Sequence, residues 1–327
     1  MKPLLLHYFV TNRCNARCSF CSIWKERPKK DASLADVFSN LEDAKKAGCS
    51  FVDFTGGEPL LNPDLVSFLK KAKSLGFFTS VTTNCILFPS QAAKLKKLID
   101  LLHFSINADS AHLHDSIRGS SSFSAVMESI PLALENSLYP DLLYTYTDKN
   151  IHAFEGMYDI AQKHKLCLIL DPVFSTDRKD EVSPATHAQA KMYARRRGVY
   201  LNKAHLLLRK KGGNKTIHPL CRAVSSTVVI LPDNWLALPC YHHAISRIPI
   251  QGNLSDVLER RDRKTAKALQ GRYSFCEGCH INCYFDPSYS VVPSPYFFLS
   301  TVSKFKYVWY KYGVYHRPIP RRKTKHN

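Results

Sequence analysis

Short apolar runs alternate with longer amphipathic segments through the first half of the chain. The apolar runs predict strands at 4–10, 51–56, 77–84, 101–107, 141–150 and 166–174. Between them, apolar residues at helical spacing predict helices at 34–48, 62–76, 90–100, 121–137 and 152–165. This alternation is typical of repeated βα units around a parallel sheet. We therefore expect a parallel barrel or an open α/β sheet, with functional groups at the carboxyl ends of its strands.

The pattern changes after residue 175. Residues 175–222 are polar and basic, with one helix predicted near 184–197 and a segment KKGGNK (210–215) that we expect to be flexible. Residues 227–240 predict a β-hairpin that turns at PDN (232–234). These changes divide the chain into three predicted regions, namely an α/β core at 1–205, a cysteine-rich region at 206–290 and a basic, aromatic tail at 291–327.

The tail carries a second helical pattern. Five apolar or aromatic residues follow helical spacing and would form one face of a helix: Phe298, Val302, Phe305, Trp309 and Tyr312. Three lysines lie off that face: Lys304, Lys306 and Lys311. Three interpretations remain open: a helix that docks on the core as a lid, a helix that lies on an anionic membrane, and an RNA contact. No RNA-binding motif accompanies the pattern, so nucleic acid is the least favoured partner.

Charge and composition restrict the partners and the compartment that the protein is expected to have. Formal net charge is +19, with 46 Lys and Arg against 27 Asp and Glu, and 45% of residues are apolar. Such a field favours anionic partners: nucleic acid, an acidic lipid surface or an acidic electron donor. No apolar run is long enough to span a bilayer, and we read the first ten residues as a strand rather than a signal peptide. We therefore expect a cytoplasmic protein, with the tail as a candidate for peripheral contact with the inner membrane surface.

Three of the eleven cysteines lie within eight residues, directly after the first predicted strand. Cys14, Cys18 and Cys21 have the spacing C-x3-C-x2-C. In a reducing compartment, metal binding is favoured over disulfides. A structural zinc site needs four ligands, whereas three thiols on one loop leave a coordination position open, as a catalytic centre requires. A zinc knuckle remains an alternative, and a [4Fe–4S] cluster held by three thiolates would leave one iron free.

Four further motifs follow successive predicted strands. TGGEP (55–59) follows the second strand, TTN (82–84) ends the third, and FSINADS (104–110) ends the fourth, with HDSIRG (114–119) just beyond it. Gly56 and Gly57 would let the backbone approach a ligand closely, and Glu58 could accept a charge-assisted hydrogen bond from an ammonium group. An ordinary glycine-rich turn is the alternative for TGGEP, and a helix-capping or interface role is the alternative for Arg118.

Together with the cysteine loop, these motifs resemble those of the radical S-adenosylmethionine (SAM) superfamily. The resemblance implies a partial (β/α)6 barrel whose three cysteines bind a [4Fe–4S] cluster, with the amino and carboxylate groups of SAM on the fourth iron. It also implies contacts between SAM and a set of residues: Phe20 near the adenine, Gly56, Gly57 and Glu58 at the methionine amino group, Ser105 and Asn107 at the ribose, and Arg118 at the carboxylate. Cys85 departs from the family pattern, because relatives often carry glycine there. We expect Cys85, like Cys49 and Cys167, to be a buried, inert thiol.

A second set of cysteines lies behind the predicted barrel. It resembles the auxiliary-cluster region of SPASM and twitch enzymes, which implies a small cysteine-rich α+β domain of the twitch type with one auxiliary [4Fe–4S] cluster. The expected ligands are Cys221, Cys240, Cys276 and Cys279, with Cys283 as an alternate. Zinc on the same thiols is the alternative. Asn234, in the hairpin before Cys240, stands where relatives often have glycine.

The resemblance implies that an electron from a flavodoxin-type or ferredoxin-type donor drives reductive cleavage of SAM. The resulting 5′-deoxyadenosyl radical would abstract hydrogen from an unidentified small-molecule or lipid substrate. A peptide-modifying maturase is the alternative within enzymes. The alternative from a different class is a non-catalytic iron–sulfur or zinc scaffold, which would have no use for the SAM motifs. The sequence does not indicate an oligomeric state.

Overall fold

A single sheet of ten strands organises the protein, as seen in a computed structural model that describes residues 2–174 and 182–319. The strand order is β10-β9-β8-β1-β2-β3-β4-β5-β6-β7. All neighbours from β8 through β1 to β7 are parallel, and β8, β9 and β10 pair antiparallel. The strands are β1 Leu5–Thr11, β2 Phe51–Gly56, β3 Phe78–Thr83, β4 Leu101–Ser105, β5 Asp141–Tyr146, β6 Leu168–Pro172, β7 Val199–Tyr200, β8 Thr227–Ile230, β9 Trp235–Leu238 and β10 Ser246–Pro249.

Helices follow the parallel strands and cover one face of the sheet. Those of the first half are α1 Leu34–Ala47, α2 Leu65–Ser74, α3 Phe88–Leu95, α4 Ala111–Arg118, α5 Phe123–Glu135 and α6 Phe154–Lys163. Those of the second half are α7 Pro184–Tyr193, α8 Lys203–Lys210, α9 Ala223–Ser226, α10 Leu254–Glu259, α11 Arg261–Leu269, α12 Asn282–Tyr289 and α13 Pro295–Val308, the last continued by a π-helix at Trp309–Val314. The six predicted strands and the α/β class are confirmed. Helix α4 was not predicted, because it is only eight residues long and few of them are apolar.

Alternation along the strands separates two faces of the sheet. On β1, Leu6, Tyr8 and Val10 are fully buried against the helices, while His7 and Phe9 point to the opposite, concave face. The same alternation recurs on β2 and β3, where every second residue is buried. The carboxyl ends of β1 to β4 therefore meet at one edge, where the predicted motifs lie.

The predicted hairpin is present as β8 and β9, and β8 pairs in parallel with β1. The sheet thus continues into the cysteine-rich region, and the boundary predicted at residue 205 falls inside α8. The division into three regions stays a prediction. No helix in the described residues is long and apolar enough to cross a bilayer.

Candidate active site

The loop after β1 holds the three clustered cysteines against the end of α4. Within it, the amide of Arg17 donates to the carbonyl of Arg118 at 2.9 Å, and the amide of Ser19 donates to that of Ile117 at 3.0 Å. The indole of Trp24 donates to the carbonyl of Cys18 at 3.3 Å. These bonds fix the loop at the carboxyl edge of the sheet.

The three thiols lie near one another in a partly buried pocket. Burial raises the pKa of the Cys14 thiol to about 11, and the Glu58 carboxylate, Cys18 and Cys21 add to the rise. Burial also raises the pKa of Cys21, against the opposing charge of Arg118. Such thiols ionise with difficulty unless a cation compensates the charge, and bound iron supplies one. The donor set therefore fits an iron–sulfur cluster.

A four-iron cluster is larger than a single ion, so its thiolate ligands stand further apart than the ligands of one ion. In the parts of the chain that the structure describes, no three His, Cys, Asp or Glu side chains converge around a single metal position.

The two glycines of TGGEP pack against the cysteine loop. A Cβ on Gly56, whose φ is +144°, would lie 2.0 Å from the carbonyl oxygen of Thr11, and one on Gly57 would lie 2.0 Å from that of Arg13. The amides of Gly57 and Glu58 donate to the same two carbonyls at 2.9 and 2.8 Å. The glycines therefore allow the close approach of the two loops, and their contact with SAM stays a prediction.

Glu58 is buried beneath these loops. Its carboxylate accepts hydrogen bonds from the Thr83 hydroxyl at 2.8 Å, the Asn84 amide at 2.8 Å and the Leu60 amide at 3.2 Å. Burial raises its pKa, although these bonds and Arg118 oppose the rise. A carboxylate offers about four acceptor positions, so three described donors leave room for one more.

Arg118 lies buried between the cysteine loop and the end of β4. Its guanidinium reaches Asn107 Oδ1 at 3.5 Å, and its Nε has no hydrogen-bond partner among the described residues. A buried, partly unpaired guanidinium is costly unless a ligand pairs with it. Asn107 is also buried and donates to the carbonyl of Thr145 at 3.0 Å. Ser105 is buried beside it at the end of β4, and Phe20 is half-buried on the cysteine loop.

Cys85 adopts a backbone conformation that favours glycine. Its φ is +68°, in the left-handed region, and its side chain is fully buried. Burial raises its pKa well above the usual value. Cys49 and Cys167 are buried as well, so the prediction of three inert thiols is confirmed with respect to burial.

The five cysteines of the second set come together between α12 and the hairpin. Burial raises the pKa of Cys240 to about 12, and Cys279 and Cys276 add to it. Burial likewise raises the pKa of Cys221, with contributions from Cys279, Cys240 and Cys276. The pKa of Cys283 is raised by burial, Cys240, Asp171 and Cys279, among other groups. The structure thus places Cys283 near Cys240 and Cys279 and toward the barrel interior.

Asn214 ties the loops of this set together and was missed in the sequence. Its side chain donates to the carbonyls of Gly271 at 2.8 Å and Cys276 at 3.1 Å, and it accepts from the amide of Cys221 at 3.3 Å. Its backbone amide donates to the carbonyl of Cys279 at 2.9 Å. The prediction that the KKGGNK segment is flexible was therefore wrong, because the buried Asn214 in this segment joins three loops that carry cysteines.

The concave face of the sheet carries a second set of polar residues that the sequence did not reveal. His7, Asp53 and Ser80 stand in register on β1, β2 and β3. The His7 Nδ1 lies 3.1 Å from Asp53 Oδ2, and the two side chains are 13% and 20% exposed. Burial raises the pKa of Asp53, but its hydrogen bonds with His7 and Ser80 outweigh this effect and lower the pKa overall. His103 lies one strand further along the same face.

Comparison with known proteins agrees with this geometry. Residues 8–161 match the model of the radical SAM superfamily. A probable GTP 3′,8-cyclase of Saccharolobus solfataricus is 35% identical over 138 residues, which cover 41% of this chain and 45% of that protein. A GTP 3′,8-cyclase of Clostridium acetobutylicum is 30% identical over 156 residues, 46% of this chain and 49% of that protein. The chain thus spans about half the length of the curated relatives it matches.

Two solved structures share the fold over most of the chain. Streptococcus suis SuiB bound to precursor peptide SuiA superposes with a TM-score of 0.69 at 17% identity, covering 93% of this chain and 76% of that one. Native anSMEcpe with bound AdoMet superposes with a TM-score of 0.63 at 16% identity, covering 94% and 97%. The family match lies on the part of the chain that carries the cysteine loop, Glu58 and Arg118, and this part of the chain is similar to the radical SAM superfamily.

Proposed function

We propose that this protein is an enzyme that reductively cleaves SAM and uses the 5′-deoxyadenosyl radical to abstract hydrogen from a substrate. The observation that carries the proposal is the packing of the three-cysteine loop against TGGEP on one side and α4 on the other. A non-catalytic scaffold would need the thiols but has no use for the buried carboxylate and guanidinium beside them.

In this proposal, Cys14, Cys18 and Cys21 hold a [4Fe–4S] cluster whose fourth iron lacks a protein ligand. When reduced, such a cluster supplies the electron that splits the carbon–sulfur bond of SAM. The remaining acceptor position of Glu58 would take the ammonium group of SAM, and Arg118 would pair with its carboxylate. Ser105 and Asn107 would contact the ribose, and Phe20 would lie near the adenine.

We also propose an auxiliary [4Fe–4S] cluster on Cys221, Cys240, Cys276 and Cys279. It is supported by the mutual proximity of these buried thiols, which a cluster would ionise and neutralise together. Cys283 remains an alternate ligand, because it shares the same apolar cluster as Cys240 and Cys279.

The concave face of the sheet favours a polar substrate. His7, Asp53, Ser80 and His103 give this face a polar lining, which would suit a polar substrate better than a hydrocarbon chain. A nucleotide-like small molecule and a peptide both satisfy this requirement. The first agrees with the GTP of the GTP 3′,8-cyclases, and the second agrees with SuiB, which was solved with its precursor peptide.

The electron donor in this proposal is an acidic protein of the flavodoxin or ferredoxin type, because the chain carries a net charge of +19. Eleven free cysteines favour a reducing compartment such as the cytoplasm.

Anaerobic reconstitution with iron and sulfide, followed by SAM and dithionite, tests the proposed chemistry. The wild-type protein should form 5′-deoxyadenosine, and Cys18→Ala should form none. Cys49→Ala, which removes an equally buried thiol away from the site, should keep the activity. Iron-loaded wild-type protein that yields no 5′-deoxyadenosine would leave the scaffold as the better interpretation.

The substrate class has a separate test. A strain that carries Asp53→Asn should accumulate the same polar metabolite or unmodified peptide as a deletion strain, while the purified variant still forms 5′-deoxyadenosine. A deletion strain that differs from its parent only in its lipids would contradict a polar substrate.

A further inference from the structure

Helix α13 packs on the core through Tyr296 and two buried serines, and it leaves a second, apolar side outward. Ser300 and Ser303 are 2% and 4% exposed and face the barrel, whereas Phe298 and Phe305 are 67% and 71% exposed. The outward stripe, which recurs at helical spacing, is Phe298, Val302, Phe305 and Trp309. A surface helix ordinarily turns its apolar side to the core. Here an apolar side faces away from the protein.

Specific polar contacts hold the helix in this orientation. Ser300 Oγ accepts from Asn202 Nδ2 at 3.1 Å, and Ser303 Oγ accepts from the amide of Lys203 at 3.2 Å. Beyond the last turn of α13, Lys311 Nζ donates to Asp141 Oδ2 at 2.6 Å. Rolling the helix to bury its aromatic side would break these buried bonds, so the orientation is built into the fold.

Positive charge surrounds the stripe. Lys306 donates to the carbonyl of Ala194, which brings the exposed side chains of Arg195 and Arg197 close to the helix. Lys203, whose amide bonds to Ser303, has an exposed side chain as well. No acidic residue follows Asp286 in the sequence, and Asp286 is paired with Lys304 at 2.9 Å. This charge would favour a partner that is anionic as well as apolar.

We propose that the outward stripe of α13 binds an anionic lipid bilayer, with Phe298, Val302, Phe305 and Trp309 in the interface and the neighbouring basic residues against the headgroups. Aromatic and aliphatic residues between cations are the composition of interfacial helices, and Trp favours the headgroup level. A second copy of the chain is disfavoured, because two chains of charge +19 would meet at their basic faces. RNA is disfavoured, because Val302 at the middle of the stripe offers no surface on which a base can stack.

Vesicle co-sedimentation of the full-length, anaerobically purified protein tests this contact. The probes are phosphatidylcholine vesicles with and without phosphatidylglycerol. The wild-type protein should partition onto the anionic vesicles much more strongly than onto the neutral ones, and added salt should weaken the binding. The double variant Phe298→Ser with Phe305→Ser should lower the partition coefficient by roughly tenfold or more, because two large apolar side chains are lost from the interface.

The matched control removes apolar side chains of similar exposure away from the helix. Ile217 and Ile245 are 76% and 60% exposed, and Ile217→Ser with Ile245→Ser should leave the partition coefficient unchanged. Both double variants should still form 5′-deoxyadenosine, so the membrane contact and the chemistry are tested independently. Equal binding by the two double variants, or no binding of the wild-type protein to anionic vesicles, would overturn the proposal. A dimer in light scattering that only the α13 variant dissociates would assign the stripe to a second copy instead.

Discussion

Cys85 shows how a single residue can be held in a conformation that its side chain disfavours. Its φ of +68° is open to glycine at little cost, while any Cβ raises the energy of the left-handed region. Its thiol, on the other hand, fills a fully buried position, and its amide donates to Thr83 Oγ1 at 3.0 Å. Backbone strain and side-chain packing therefore oppose each other at this position.

Because strain and packing oppose each other, we expect an unusual order of stability among variants of Cys85. Cys85→Gly should be more stable than Cys85→Ala by about 1 kcal/mol, because both lose the thiol and only glycine relieves the backbone. At Cys49, which is equally buried without a positive φ, alanine should be the more stable replacement by about 0.5–1 kcal/mol. Urea unfolding of the four variants measures both differences. Alanine preferred at both positions would show that Cys85 carries no strain.

Single residues of the site also differ in whether the sequence could predict them. Cys14, Cys18 and Cys21 were predictable, because their spacing places them on one loop. The His7–Asp53 pair was not, since the two residues belong to different strands and meet only through the register of β1 and β2. Asn214 was not either, because a lone asparagine between glycine and lysine has the composition of a surface loop.

At the scale of elements, Asn214 links three cysteine-bearing loops through one buried side chain. Its described hydrogen bonds go to backbone groups, so it would act as a positioning residue for the proposed auxiliary cluster.

Asn214→Ala should release the loops and lower the iron content of the reconstituted protein from about eight to about four atoms per chain, the equivalent of one [4Fe–4S] cluster. Asn202→Ala is the matched control, since Asn202 is equally buried and caps α8 away from the cysteines. Both variants should lose stability, but only Asn214→Ala should lose iron. Eight iron atoms retained in Asn214→Ala would refute the positioning role.

For the whole molecule, the tail closes the amino-terminal end of the sheet. Both Tyr307 and Lys311 donate to Asp141 Oδ2 at 2.6 Å, at the first residue of β5. Lys311 and Asp141 are 5% and 1% exposed in their side chains, so the pair is shielded from water. Of the three interpretations of the tail, docking on the barrel is the one these contacts match, although they lie at the edge opposite the cysteine loop.

Lys311→Ala should therefore lower the free energy of unfolding by about 3–5 kcal/mol, because it leaves a buried carboxylate without its cation. Lys304→Ala, in the same tail, breaks the half-exposed pair with Asp286 and should cost about 1 kcal/mol or less. Replacing both partners, as in Asp141→Asn with Lys311→Met, should cost less than Lys311→Ala alone. Chemical denaturation measures all three, and similar losses for Lys311→Ala and Lys304→Ala would contradict the buried pair.

Strands of the sheet could be predicted only where a short stretch of sequence carries the pattern by itself. Strands β1 to β6 follow from short apolar runs between helices. The parallel pairing of β8 with β1 joins residues from the two ends of the fold, and nothing in either segment specifies that partner. Strand β7 has two residues, too few to form a pattern. The tail helix was predicted from its spacing, but its orientation depends on Asp141 and Asn202, which lie far away in the sequence.

The central claim is that SAM binds directly to an iron that the cysteine loop leaves without a ligand. Electron–nuclear double resonance on the reduced protein, with SAM labelled at its amino nitrogen and carboxylate oxygen, tests it most directly. Both labels should show hyperfine coupling to the cluster in the wild-type protein, and the coupling should persist in Cys276→Ala, where the auxiliary cluster is impaired. A cluster signal that the labelled SAM leaves unchanged would contradict the account.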